Sequence, residues 1–128
     1  MSDKELEIFD TGVLGSEIPV SAAVKAGGFV FAGGCIGNVF GKLELVNGGV
    51  AAETQQALEN LRIALEAAGS SINRVIKCNI YLVDMDEFGE FNDVYGNFFG
   101  AHKPTRATVA VRELGLGGHV EIECVALA

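Results

Sequence analysis

The chain reads as an α+β protein, a single mixed β-sheet with two α-helices packed on one face. Three observations carry this reading. Val50, Thr54, Ala57, Leu58, Leu61, Leu65 and Ala68 recur at helical spacing. A second helical stretch carries an aromatic stripe of Phe88, Phe91, Tyr95, Phe98 and Phe99. Around both run short segments that alternate apolar and polar residues, the period of a half-buried strand. The order is strands, helix, strand, helix, two strands.

Each element has a local cause. Residues 1–17 mix polar, apolar and glycine positions without a sustained period, which predicts an extended or irregular arm. Strands at 21–26 and 29–32 flank Gly27-Gly28, a two-residue hairpin signal. Gly33, Gly34 and Gly37 then interrupt the second strand, marking a bulge or a close approach of backbone to a ligand. A short strand is expected at 42–46, closed by the turn Asn47-Gly48-Gly49. The first helix places Glu53, Gln56, Glu59 and Arg62 away from its apolar stripe and stops at Gly69. In a strand at 75–83, Ile76, Cys78, Ile80 and Leu82 share one face, with Lys77, Asn79 and Tyr81 on the other. Asp84 or Asp86 caps the second helix, and Gly100 stops it. Gly89 and Gly96 cost that helix about 1 kcal/mol each relative to alanine, so its aromatic stripe must hold it by packing. Strands at 106–112 and 119–126 complete the sheet. No domain boundary or repeat appears, so 18–128 is read as one domain behind the 1–17 arm.

Hydrophobic residues make up 49% of the 128, too many for a disordered chain and enough for a real core. In so short a chain this content points to apolar surface covered by other subunits. The net charge is −8 and the nine Lys and Arg are scattered singly, which argues against a nucleic-acid partner. The apolar runs are too short to span a membrane. The opening Met-Ser-Asp-Lys-Glu lacks the pattern of a secretory signal and the Arg-rich character of a transit peptide. Three widely spaced cysteines fit a reducing compartment. A cytoplasmic location is expected, with a mitochondrial pool left open.

Arg106 and Glu121 carry the functional signal. Alternation puts Arg106, Thr108 and Ala110 on one face of their strand and Glu121, Glu123 and Val125 on one face of theirs, both expected away from the core. Arg106 is a rigid two-pronged donor suited to a carboxylate. Glu121 can hold a water or move a proton. Covered by a partner subunit, this face becomes a pocket for a small carboxylated molecule; uncovered, it is a solvated sheet face. The connection at 113–118 leaves the register of the two strands open. Gly33, Gly34 and Gly37 either let backbone N–H groups approach an anion or mark a bend. Cys78 and Cys124 read as core, whereas Cys35, set among glycines, reads as bordering a cavity. His119 is a surface strand end or a pocket base. His102, His119 and the cysteines form no pair at ligand spacing, so no metal site is expected. No glycine run completes a nucleotide fingerprint, and no cofactor is expected.

Several stretches, in order and spacing, resemble the RidA/YjgF family of reactive-intermediate deaminases. They begin with Gly48-Gly49-Val50-Ala51-Ala52-Glu53-Thr54-Gln55-Gln56-Ala57-Leu58-Glu59-Asn60-Leu61, Ala67-Ala68-Gly69 and Val75-Ile76-Lys77. Val83-Asp84-Met85-Asp86-Glu87-Phe88 and Phe91-Asn92-Asp93-Val94-Tyr95-Gly96-Asn97-Phe98-Phe99 follow, then Pro104-Thr105-Arg106 and Val120-Glu121-Ile122-Glu123. The resemblance runs from about Ile18 to the end. It implies a chorismate-mutase-like fold and a homotrimer with pockets between subunits. It also implies addition of water to a 2-imino acid or its enamine, such as 2-iminobutanoate or 2-iminopropanoate, giving a 2-keto acid and ammonia and so protecting pyridoxal-phosphate enzymes. Arg106 matches the arginine that grips the substrate carboxylate, and Glu121 the glutamate that orients the attacking water. Gly34 matches a pocket-lining glycine, with Cys35 and Thr108 also at pocket positions. The chain departs from the family pattern at Val20, Gly33, Cys35, Thr108 and Gly115. A non-catalytic trimer that binds small carboxylates or partner proteins, and an endoribonuclease, are the alternatives that the resemblance leaves.

Overall fold

A computed structural model describes residues 5–128. The elements are β1 (Glu7–Phe9), β2 (Ala23–Ala26), β3 (Phe29–Ile36), α1 (Gly49–Ala67), β4 (Val75–Leu82), α2 (Phe88–Phe99), β5 (Thr105–Ala110) and β6 (Val120–Leu127). They form one mixed sheet in the order β1-β2-β3-β6-β4-β5. Each neighbouring pair is antiparallel except β4 and β5, which run parallel because α2 carries the crossover between them.

Helix α1 forms where the apolar repeat predicts it. Its Val50, Ala57, Leu58, Leu61 and Leu65 are fully buried and the helix packs on β3 and β6. Each leucine so buried contributes about 1.5–3 kcal/mol over its exposed state. The helix ends as Gly69 and Ser70 return their amide N–H groups to Glu66 and Leu65, and the Ser70 hydroxyl donates to the Leu127 carbonyl at 2.5 Å. In α2, Phe91, Tyr95 and Phe99 are buried and stacked in sequence, with ring centroids 5.5 and 4.7 Å apart. Asp84 starts the turn leading into it by accepting from the Asp86 amide at 2.9 Å.

Two local expectations are made specific and two, the strand at 42–46 and the core face of Ile76, are corrected. The 1–17 arm contains a strand: β1 pairs with β2, and three residues are too few for a period to show in the sequence. Residues 42–46 form no strand, only a bridge between Leu45 and Asn38. The Asn38 side chain occupies this segment instead, its Nδ2 lying 2.8, 3.1 and 3.0 Å from the Val13, Val39 and Lys42 carbonyls. Strand β3 runs through its glycines to Ile36, absorbing them as an irregularity between Ala32 and Cys35 opposite β6. A second register shift between Val75 and Lys77 turns Ile76 outward, leaving it 39% exposed instead of in the core.

A polar network fixes the loop between β3 and α1. Asn60, buried on α1, donates through Nδ2 to the Ile36 carbonyl at 3.2 Å and to the Asn38 carbonyl and side-chain oxygen at 3.1 Å. This loop runs against α1 so closely that a Cβ on Gly37 would fall 2.5 Å from Glu53 Cα and 2.6 Å from its carbonyl oxygen. Gly37→Ala is therefore expected to destabilise the fold by about 1–3 kcal/mol, as overpacking against backbone does. Urea unfolding measures this, and a midpoint equal to that of the parent would contradict the close contact.

Candidate functional site

The sites predicted from sequence separate into two groups on opposite faces of the sheet. In β6, Val120, Ile122, Cys124 and Ala126 are buried in the core beneath the helices, so Glu121 and Glu123 face the other way. In β5 the expectation is reversed. Arg106 pairs in register with Cys78, which pairs with Cys124, and both cysteines are core residues. Arg106 therefore points to the helix side, where its guanidinium carbon lies 4.7 Å from the Tyr95 ring centroid. The physical reason is that β5 is an edge strand, where an aromatic helix face receives a charge whose head still reaches solvent. Thr108 shares this face.

The first half-site is a cavity of about 200 Å³ holding Glu121, Gly34 and Cys35. Gly34 and Glu121 are matched: a Cβ at Gly34 would fall 2.9 Å from the Glu121 carboxyl carbon and nearer still to Oε2. Glycine is required for the carboxylate to lie on the β3 backbone. Burial raises Glu121 above the ordinary carboxylate range, and the neighbouring charge of Glu123 adds to it. Glu123 is itself held by Tyr81, whose hydroxyl donates at 2.8 Å, and by Asn79 Nδ2 at 3.2 Å. Burial pushes the Cys35 thiol up to about 12, with Glu121 contributing second. Cys35 is thus a neutral wall at ordinary pH, not a thiolate nucleophile. The rest of the wall is mostly apolar: Val13, Leu14, Ile18, Val20 and Ala22. These residues come largely from the segment before β2, whose irregular sequence gave no pocket signal.

The second half-site is a cavity of about 370 Å³ along α2 and the approach to β5, lined by Arg106, Asn92 and Tyr95 among others. Tyr95 is core as the sequence predicts, and Asn92, which the sequence reading did not single out, lines the same cavity. Asn92 Oδ1 and Thr108 Oγ1 are buried without a hydrogen-bond partner among the described residues, and the buried Tyr95 hydroxyl lies against the Cys78 thiol. An asparagine inside an aromatic stripe was the available signal.

Among the described residues no three His, Cys, Asp or Glu side chains cluster as metal ligands. No described helix is long and apolar enough to cross a membrane.

The fold is that of a small two-layer α+β protein with one cavity lined by a carboxylate and another lined by an arginine. Residues 14–128 match the family model described as endoribonuclease L-PSP. The chain belongs to this family, also called YjgF/RidA. A RutC family protein of Pyrococcus horikoshii is 44% identical over 108 residues, covering 84% of this chain and 86% of the relative. The mouse 2-iminobutanoate/2-iminopropanoate deaminase is 39% identical over 109 residues, covering 85% and 81%. The crystal structure of E. coli TdcF with bound serine superposes with a TM-score of 0.86 at 31% identity, covering 95% of this chain and 98% of that one.

A clasp from α1 sets the start of β6. Glu53, 2% exposed and so not on the solvent face expected for it, accepts from the His119 amide at 2.8 Å and from His119 Nδ1 at 2.5 Å. Glu121 follows two residues later. The hydrogen bond to Glu53 raises the His119 imidazole, partial burial opposes it, and the charges of Glu53, Glu87 and Glu90 add to the rise. A raised imidazole stabilises the fold fully below its ordinary value of about 6.5, and that contribution is lost as pH climbs through the raised value. The melting-temperature gap between the parent and His119→Gln should accordingly be widest near about pH 6 and narrow towards about pH 9. Thermal unfolding across that range checks it, and a gap that widens with pH would reverse the assignment.

Proposed function

We propose that this protein hydrolyses small 2-imino acids, such as 2-iminobutanoate and 2-iminopropanoate, to 2-keto acids and ammonia. It does so as a homotrimer in which the Arg106 half-site of one copy closes on the Glu121 half-site of the next. The carrying observation is the placement of Arg106 and Glu121 on opposite sides of the sheet. No side-chain rotation within a protomer joins them, whereas a head-to-tail contact between copies does. The exposed Phe29 and Phe31 on β3 and Val109 on β5 support assembly. The name of the mouse relative and the serine bound in TdcF support a small amino-acid-like substrate.

The chemistry follows from the two halves. Arg106 pairs its fork with the substrate carboxylate and thereby aims C2 at Glu121. Glu121 takes a proton from a water as the water oxygen bonds to C2. The proton passes to the imine nitrogen, giving a carbinolamine; Glu121 then carries the hydroxyl proton to the same nitrogen, and the C–N bond breaks with its electron pair leaving on ammonia as C2 becomes the ketone carbon. The balance is imino acid plus water to keto acid plus ammonia. A carboxylate raised towards working pH suits this exchange better than an ordinary one. With Cys35 neutral, the carboxylates lining the cavity are Glu121 and Asp10, and of these Asp10 is exposed and accepts from the Gly12 amide, which leaves Glu121 as the sheltered proton-moving group. The apolar wall fits an aliphatic substrate side chain.

A second reading, a trimer that binds small carboxylates without turnover, is favoured by the departures from the family pattern at Val20, Gly33 and Thr108. RNA cleavage is disfavoured by the net charge of −8.

The imine is best supplied by a threonine dehydratase and its decay followed with and without the protein. Arg106→Ala should lower kcat/KM at least about a hundredfold while the protein stays folded. Glu121→Gln should abolish turnover but retain keto-acid binding by calorimetry. Co-refolding these two variants in equal amounts should restore about a quarter of parental activity, since a quarter of the interfaces then carry both groups. Absence of restoration would remove the shared site. Parental activity should fall as pH drops through the raised Glu121 value, and Glu123→Gln should shift that acid limb downward. Keto-acid binding without any acceleration by the parent would select the second reading.

A further inference from the structure

We infer that the aromatic face of α2 is a positioning device for Arg106, which holds the guanidinium plane by stacking while leaving its N–H edge free for a ligand carboxylate. The inference rests on the role proposed for Arg106 above and adds the residues that orient it. Phe88, Phe91 and Tyr95 stand at i, i+3 and i+7 on one helical face. Their ring centroids lie 5.5, 5.4 and 4.7 Å from the Arg106 guanidinium carbon, so one cation meets three rings. The rings are braced in turn, since Tyr95 is 5.5 Å from Phe91 and 4.7 Å from Phe99. Among the described residues, Arg106 makes no salt bridge or side-chain hydrogen bond. Cation–π contact uses the face of the guanidinium and carboxylate pairing uses its edge, so the two do not compete.

Tyr95 is the principal member. It is 8% exposed and gives the shortest of the three distances. Its phenol is pushed well above the ordinary range by burial, with the Cys78 thiol contributing second, so the ring under Arg106 stays neutral. Arginine has many rotamers, and a free one must be ordered each time a ligand binds. Stacking on a braced wall removes that cost beforehand. Tyr95 and Phe88 are thus positioning residues that act through Arg106.

The test compares Tyr95→Leu, Tyr95→Phe and Phe88→Leu, the last a safeguard because Phe88 is only partly buried. Tyr95→Leu and Phe88→Leu should each raise KM for 2-iminobutanoate about tenfold with kcat within about threefold, and weaken 2-oxobutanoate binding by the same factor. Tyr95→Phe, which keeps the ring, should restore binding to within about threefold of the parent. A purely structural role would lower melting temperature without this KM-against-kcat split. NMR of the Arg106 Nε–H group supplies a readout that needs no substrate. The parent should show a ring-current shift and restricted motion, both lost in Tyr95→Leu. Unchanged keto-acid affinity in folded Tyr95→Leu and Phe88→Leu, or an Arg106 signal as mobile in the parent as in the variants, overturns the inference. A parent with an ordered Arg106 signal but no activity or keto-acid binding would refute the proposed function and leave the positioning device standing.

Discussion

A sheet is a wall, and successive side chains on a strand fall on alternate sides of it. Arg106 sits on the helix side because β5 pairs it with Cys78, and Glu121 sits on the open side because its neighbours Val120 and Ile122 are core. The two charges are thereby kept apart within one protomer. Each is held in a different environment, an aromatic wall for the cation and a glycine-lined backbone for the anion. The separation prevents the pair from neutralising itself and keeps each group available to a third party.

Close approach is the other recurring device. The Glu121 carboxylate lies on Gly34, and the α1 backbone at Glu53 lies on Gly37, at spacings that no side chain on those glycines would permit. The first contact desolvates a carboxylate and raises it. The second lets α1 reach the loop through which Asn38 and Asn60 tie the pocket segment near Val13 to the helix. Glu53 extends the same tie to His119 at the start of β6. The helix layer therefore holds both ends of the Glu121 half-site, although Glu121 itself faces away from it.

Imine hydrolysis asks little of a protein, because the reaction proceeds unaided in water and gains from orientation and one well-placed proton acceptor. Cys35 fits such a site as an inert neutral wall, and Val20 and Ile18 as apolar lining.

The two helices, the hairpin and the terminal strands were legible in the amino-acid order because each rests on local periodicity and on a glycine or capping residue at its end. Arg106 and Glu121 stand out in the same order as candidates, side chains whose chemistry is unusual for their pattern and whose surroundings resemble a known family. Three-dimensional packing decided what alternation alone leaves ambiguous. A strand pattern says that two faces differ, but which face an edge strand turns to the helices depends on pairing with β4, many residues away. The β1 pairing, the outward turn of Ile76 and the burial of Glu53 are non-local in the same way. They arise from register shifts and from contacts between segments that the linear order does not bring together.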